Sequence, residues 1–305
     1  MIPILCRDLS MAFGGVRAVD RLDLEVPDGA LYGLVGPNGA GKTTAIKALM
    51  NIIRPSAGST EIFGCDSRRL RAEEFQRIGY VSENQTLPDW MTVGCLMTYL
   101  KPFYPAWEDA RAVDLLRQFN LPAGRRLRHL SRGMLMKAAL ASSLAYRPRL
   151  LVLDEPFSGL DALVREELIE GILESAEGCT ILVSSHDLAD IETFSSHIGY
   201  MDNGRLLFSE EMASLTGRFR EVEVTVGMPA SLPGQQGWPA HWLGAEVSPA
   251  LVRFVDTRFE AESTAAEIRH LFADVRDISA RPMPLRTIFL ALARSGRQLP
   301  NGAPA

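Results

Sequence analysis

Residues 31–44 read LYGLVGPNGAGKTT, a short apolar run followed at once by a glycine-rich turn. The run at 31–35 has the length and unbroken apolar character of a strand covered on both faces. Gly36 to Thr43 spells G-x-x-x-x-G-K-[ST], and the apolar periodicity over 45–50 predicts a helix directly after it. The strand–turn–helix context is what this pattern needs physically. Glycines let the backbone curl so that its N–H groups face inward, at the positive end of a helix, where phosphate oxygens are held. The Lys42 ammonium is expected to reach the outer phosphates and the Thr43 hydroxyl to ligate magnesium. The expected phosphate contacts therefore run from Gly36 through Pro37, Asn38, Gly39, Ala40 and Gly41 to Lys42, Thr43 and Thr44.

A phosphate loop of this kind serves kinases, GTPases and ATPases alike, and a second stretch chooses among them. Residues 150–155, LLVLDE, are an apolar strand ending in two adjacent carboxylates. Asp154 can hold magnesium, directly or through water, which leaves Glu155 to orient and deprotonate a water for attack on a terminal phosphate. Residues 180–183 form another continuous apolar run, with a helix expected from 161 to about 176 between the two, so strand, helix and strand make one βαβ unit. Repetition of that alternation over the first two-thirds of the chain predicts an α/β fold built on a parallel sheet. Asp202-Asn203-Gly204, between apolar runs at 198–201 and 205–208, is a hairpin signal.

The chain has 305 residues, a soft prior of roughly two domains. Hydrophobic residues make up 47% and charged residues 23%, a composition that buries a core and is far from disordered. The net charge of −5 lacks the basic excess that favours nucleic acid, and no nucleic-acid partner is expected. The longest apolar runs, 288–293 and 150–153, stop well short of the ~18 residues of a membrane span, and the N-terminus does not read as a secretory leader. Cys6, Cys65, Cys95 and Cys179 show no CxxC spacing and are expected to be buried free thiols in a reducing compartment. Beyond residue 215 the pattern changes. A strictly alternating strand at 221–226 is followed by a Gly/Pro-rich loop at 227–239, strands at 241–247 and 251–255, a helix at 264–272, a strand at 275–278 and a helix at 285–294. This is a small α+β domain over 216–294 with its boundary near Thr216, and 295–305 is expected to be a disordered tail.

Taken in order, these motifs resemble the ATP-binding subunit of an ABC transporter over about residues 1–215. LSRGM at 130–134 resembles the family's Leu-Ser-Gly-Gly-Gln signature, on a loop leading into a helix over 134–146. The resemblance implies that Ser131 and the Gly133 N–H bind the γ-phosphate of an ATP held by a partner subunit. SGLD at 158–161 is similar to the D-loop and brings in Asp161. His186 resembles the switch histidine that contacts the γ-phosphate, and Phe13 occupies the place of the aromatic that stacks on adenine. Two positions depart from the pattern. Aligned on the strand at 78–81, the place of the Q-loop glutamine is taken by Glu83, with Gln85 two residues on as the fallback. A carboxylate there can still ligate magnesium or hold the water, but it adds negative charge near the phosphates. In the signature, Arg132 and Met134 stand where Gly and Gln are usual. Some prokaryotic exporter ATPases resemble the chain in both departures and in carrying a small C-terminal domain. Residues 84–107, with Trp90, Met91, Met97, Phe103, Tyr104 and Trp107, lie where such subunits meet their membrane partner.

The resemblance thus implies a P-loop NTPase core of ABC-ATPase type, α/β, with a helical insertion at about 87–146 and a small C-terminal α+β domain. It implies ATP and Mg2+ as ligands, with Lys42, Glu155 and His186 catalytic and Thr43, Asp154 and Glu83 around the metal. It implies a second nucleotide-binding subunit, identical or related, a separate transmembrane permease, and a peripheral place at the cytoplasmic face of the membrane, with export as the expected direction. The competing reading is an ABC-type ATPase acting on nucleic acid or the ribosome. Against it stand the single ATPase domain, the lack of a coiled-coil insertion and the acidic balance. A regulatory subunit that binds without hydrolysing is weakened by the presence of Lys42, Asp154, Glu155 and His186 together.

Overall fold

The computed structural model of the chain describes residues 2–227, 237–272 and 274–295, and divides into two units, Met1–Ser209 and Glu210–Ala305. The first unit opens with a long hairpin, β1 (Ile4–Phe13) and β2 (Val16–Val26), turned by Gly14 and Gly15 at φ +54° and +88°. Positive φ at both turn positions gives the twist that matches a two-residue hairpin. Then come β3 (Leu31–Val35), α1 (Lys42–Leu49), β4 (Ala57–Ile62), β5 (Cys65–Asp66), the short α2 (Ala72–Phe75) and β6 (Ile78–Ser82). Strands β2-β1-β4-β5 make a four-stranded antiparallel sheet. The expected insertion is helical: α3 (Val93–Leu100), α4 (Asp109–Gln118) and α5 (Arg132–Leu144). Then follow β7 (Leu150–Asp154), α6 (Ala162–Ser175), β8 (Thr180–Ser185), α7 (Leu188–Glu192), β9 (His197–Asp202) and β10 (Arg205–Glu211), whose last two residues already belong to the second unit.

The second sheet orders its strands β10-β9-β3-β8-β7-β6 and is parallel from β9 to β6. Leu150, Leu151, Val152 and Leu153 are fully buried, as unbroken apolar runs in a sheet covered on both faces must be. Each such side chain contributes about 1.5–3 kcal/mol by leaving water. The register sets Val35 opposite Ser185, Asp154 opposite Ser184 and Ser82 opposite Asp154. The carboxyl ends of β3, β6, β7 and β8 therefore share one edge, where open α/β sheets bind ligands.

Helix α5 is buried along nearly its whole length, and its buried Lys137 pairs with Glu167 of α6. It starts at Arg132, earlier than the expected 134, because the Ser131 hydroxyl accepts from the Met134 N–H at 3.2 Å and caps it. Asp161 caps α6 in the same way, accepting from the Val164 N–H at 3.0 Å. Among the cysteines, burial pushes the Cys6 and Cys179 thiols up to about 12. Cys65 is only partly covered and Cys95 lies exposed on α3, so the expectation of four buried thiols fails at these two.

The second unit contains α8 (Met212–Arg218), β11 (Arg220–Val226), β12 (Trp242–Ser248), β13 (Leu251–Asp256), α9 (Ala261–Leu271), β14 (Val275–Pro282) and α10 (Leu285–Ser295). Its sheet is antiparallel, ordered β12-β13-β11-β14. Strand β14 outruns the expected 275–278 because Ala280 and Pro282 still pair with Val222 and Arg220. Val222, Val224, Val252, Phe254 and Ile268 form its core, and the Trp242 ring stacks on Phe254 at 3.9 Å. Buried Asp256 accepts from the Thr264 hydroxyl at 2.7 Å and the Arg258 N–H at 2.8 Å. Thr216 sits inside α8, so the division between units falls upstream of the compositional break. The tail at 296–305 and the loop residues 228–236 lie outside the described residues.

Candidate functional site

Between the end of β3 and the start of α1 the backbone makes a turn that a side chain would block. Gly41 caps α1 at φ +102°, and a Cβ there would lie 2.3 Å from the Ala18 carbonyl oxygen. The first turn of α1 has neither a side-chain cap nor an acidic residue, so its leading N–H groups are left to an anionic ligand. They open on a cavity of about 510 Å³ whose lining takes in Asn38, Gly39, Ala40, Gly41, Lys42, Thr43 and Thr44 from this loop, with Glu83, Glu155, Ser158 and His186 opposite.

Lys42 is 4% exposed. Its ammonium donates to the carbonyls of Gly36 at 2.6 Å and Pro37 at 3.3 Å, and pairs with Glu155 Oε1 at 3.1 Å. The Thr43 hydroxyl donates to Asp154 Oδ1 at 2.9 Å, and the Ser184 hydroxyl donates to the same oxygen at 2.8 Å. Burial raises the Asp154 carboxyl above the ordinary carboxylate range, while the hydrogen bonds from Ser184 and Thr43 pull the other way. A desolvated carboxylate converging on a threonine hydroxyl is the hard-oxygen set that suits magnesium.

Glu155 adopts φ +53°, with its N–H donating to Ser184 Oγ at 2.9 Å. Its second carboxylate oxygen, Oε2, meets His186 Nδ1 at 2.8 Å. Ser184 thus orients both acids at once, accepting from one residue's backbone and donating to the other's side chain. It is a site residue that sequence reasoning missed, as is Ala18 of the cavity lining, and its sequence signal is a hydroxyl closing the apolar strand 180–183. At the end of β6 the Glu83 N–H donates to the Asp154 carbonyl at 2.9 Å, and the side chain lines the cavity. Gln85 lies outside that lining, its Oε1 accepting from the Ser82 N–H at 3.4 Å.

Lys42, Thr43, Asp154, Glu155, Glu83 and His186 therefore come together. Phe13 does not line the cavity; it is 52% exposed beside the Gly14–Gly15 turn. Ser131, Gly133 and Asp161 are also outside the lining. Within one chain Ser131 and Asp161 cap helices, and Gly133 is buried where a Cβ would come 2.6 Å from Val164 Cγ1.

Comparison with known proteins agrees with this geometry. A family profile described as ABC transporter matches residues 19–158. The daunorubicin resistance ATP-binding protein DrrA2 of Streptomyces coeruleorubidus is 31% identical over 307 residues, covering 92% of this chain and 91% of that protein. An uncharacterized ABC transporter ATP-binding protein of Synechocystis, sll0415, is 34% identical over 69% of this chain, which spans 61% of that protein's length. A solved structure of the ATP-binding subunit of an ABC transporter superposes with a TM-score of 0.65 at 27% identity, over 71% of this chain and 92% of that one. A phosphate loop facing paired carboxylates across the edge of a parallel sheet, with likeness to such a protein over nearly its whole length, makes this chain a member of the ABC transporter ATP-binding family.

Proposed function

We propose that the chain hydrolyses ATP and powers transport, in the direction of export, through a separate transmembrane permease, working as a pair of nucleotide-binding subunits at the cytoplasmic face of the membrane. The observation that carries this reading is that Lys42, Thr43 and Glu155 line one cavity, with Asp154 directly behind it on the Thr43 hydroxyl. ATP phosphates take the leading N–H groups of α1 and draw the Lys42 ammonium from Glu155. Thr43 and Asp154 would hold Mg2+, which when bound would neutralise charge building on the phosphates, with Glu83 lining the rim of the same cavity. Glu155, freed from Lys42 and steadied by His186, then accepts the proton of the attacking water. Phe13 is available to stack on the base, and Ser131, Gly133 and Asp161 are left to face the partner subunit's nucleotide.

The name of the Streptomyces relative, a drug-resistance protein, supports export. Among the described residues no helix is long and apolar enough to cross a membrane, which fits a permease on a separate chain. Trp90 (67% exposed) and Phe103 (54%) leave aromatic surface on the helical insertion for that partner, whereas Met91 and Met97 are buried and pack the insertion itself. Two experiments test the proposal. Lys42→Ala is expected to abolish or severely weaken ATP binding, since it removes the mobile cation that meets the phosphates; unchanged hydrolysis would refute the site. Detergent extraction of native membranes is expected to recover the chain with a membrane-spanning protein. Recovery with ribosomes or nucleic acid instead would refute transport.

A further inference from the structure

Glu83 and Arg132, the two charged departures noted in the sequence, meet in space although 49 residues separate them: an Arg132 guanidinium N–H donates to Glu83 Oε1. The same guanidinium rests on Gly159. A Cβ at Gly159, where φ is +67°, would lie 2.9 Å from Arg132 Nη1 and 3.1 Å from its Cζ, so the glycine leaves the guanidinium room there. Arg132 begins α5, Glu83 follows β6, and Gly159 adjoins Ser158 of the cavity lining. One planar cation thus ties the start of α5 to the end of β6 at the rim of the nucleotide cavity, with Gly159 beside it. With Arg132 at 52% exposure and Glu83 at 28%, the pair contributes little to folding stability, and its weight falls on what enters the cavity. A free carboxylate at Glu83 would repel a polyanionic nucleotide; one gripped by a guanidinium presents a neutral pair.

We propose that Arg132 is a positioning residue of the nucleotide site, holding the Glu83 carboxylate at the cavity rim as half of an ion pair and masking a negative charge that the phosphates of ATP would otherwise meet. The inference rests on the cavity being the ATP site. Arg132 lies outside the lining, so it acts through Glu83. Lysine at 132 would keep the charge but lose the planar guanidinium that meets the Glu83 carboxylate.

The test is titration of the full-length chain with ATP at fixed magnesium, reading affinity. With Glu83 in place, Arg132→Ala is expected to weaken ATP binding on the order of tenfold. That loss should shrink as salt is raised, because exposed charges are screened, and Arg132→Lys should recover part of it. In a Glu83→Gln background the same Arg132→Ala change is expected to alter affinity by less than about twofold, since the charge it masks is gone. Equal losses in both backgrounds, including any loss from misfolding of α5, would overturn the proposal, as would no loss in either. Failure of the site itself reads differently: the unaltered chain would not bind ATP, or Lys42→Ala would bind it as well as the unaltered chain does.

Discussion

Glu155 carries its carboxylate on a backbone at φ +53°, a left-handed conformation that costs a non-glycine residue of the order of 1–3 kcal/mol. Ser184 fixes its N–H, while Lys42 and His186 take its two carboxylate oxygens, so the strain is held by contacts that aim the side chain into the cavity. Asp154, one residue earlier, keeps ordinary strand geometry and points to Thr43. Adjacent acids are thereby given different surroundings, one buried against two hydroxyls and one held between the Lys42 ammonium and the His186 imidazole. The opposite wall is as demanding. Gly41→Ala would place a methyl carbon into the Ala18 carbonyl at a φ of +102°. It is expected to destabilise the fold by at least about 2 kcal/mol, strain and overlap together, and to impair nucleotide binding. Chemical denaturation beside nucleotide titration checks this, and wild-type stability would contradict the turn geometry.

At the scale of elements, helix ends carry the second layer of the site. Ser131→Ala removes the hydroxyl that caps α5 and is expected to cost about 1 kcal/mol even without nucleotide. A denaturation midpoint unmoved by the change would show that the cap contributes nothing. Strands β3, β7 and β8 were legible in the sequence because burial on both faces demands unbroken apolar runs. The β1–β2 hairpin was not. Its alternation is broken by bulges between Cys6 and Leu9 and between Leu9 and Met11, and by Asp8 at φ +47°, although Gly14-Gly15 was a turn signal in plain view. That Lys42, Thr43, Asp154 and Glu155 come together was legible because each pair sits in one local motif at the end of a buried strand. Ser184 and the grip of Arg132 on Glu83 were not, since both depend on sheet order and on segments far apart in the chain. The register of β7 against β8 is what brings Ser184 to Asp154.

Across the whole molecule, every residue lining the nucleotide cavity belongs to the first unit. A chain ending at Glu211, which keeps β10 entire, is expected to bind ATP with affinity close to that of the full chain. Loss of binding in a folded fragment would mean that the second unit completes the site. In the proposed function, turnover is what joins the site to transport, and it rests on Glu155 as the base. Glu155→Gln is nearly isosteric, leaves Asp154 with its hydroxyl partners, and removes only the carboxylate proposed to take the water's proton. The rate of phosphate release by the full-length Glu155→Gln chain with magnesium and ATP, set beside its ATP affinity, should fall by about 10²–10⁴-fold while binding persists; release within a few-fold of the unaltered chain would contradict the assignment of Glu155 as the base.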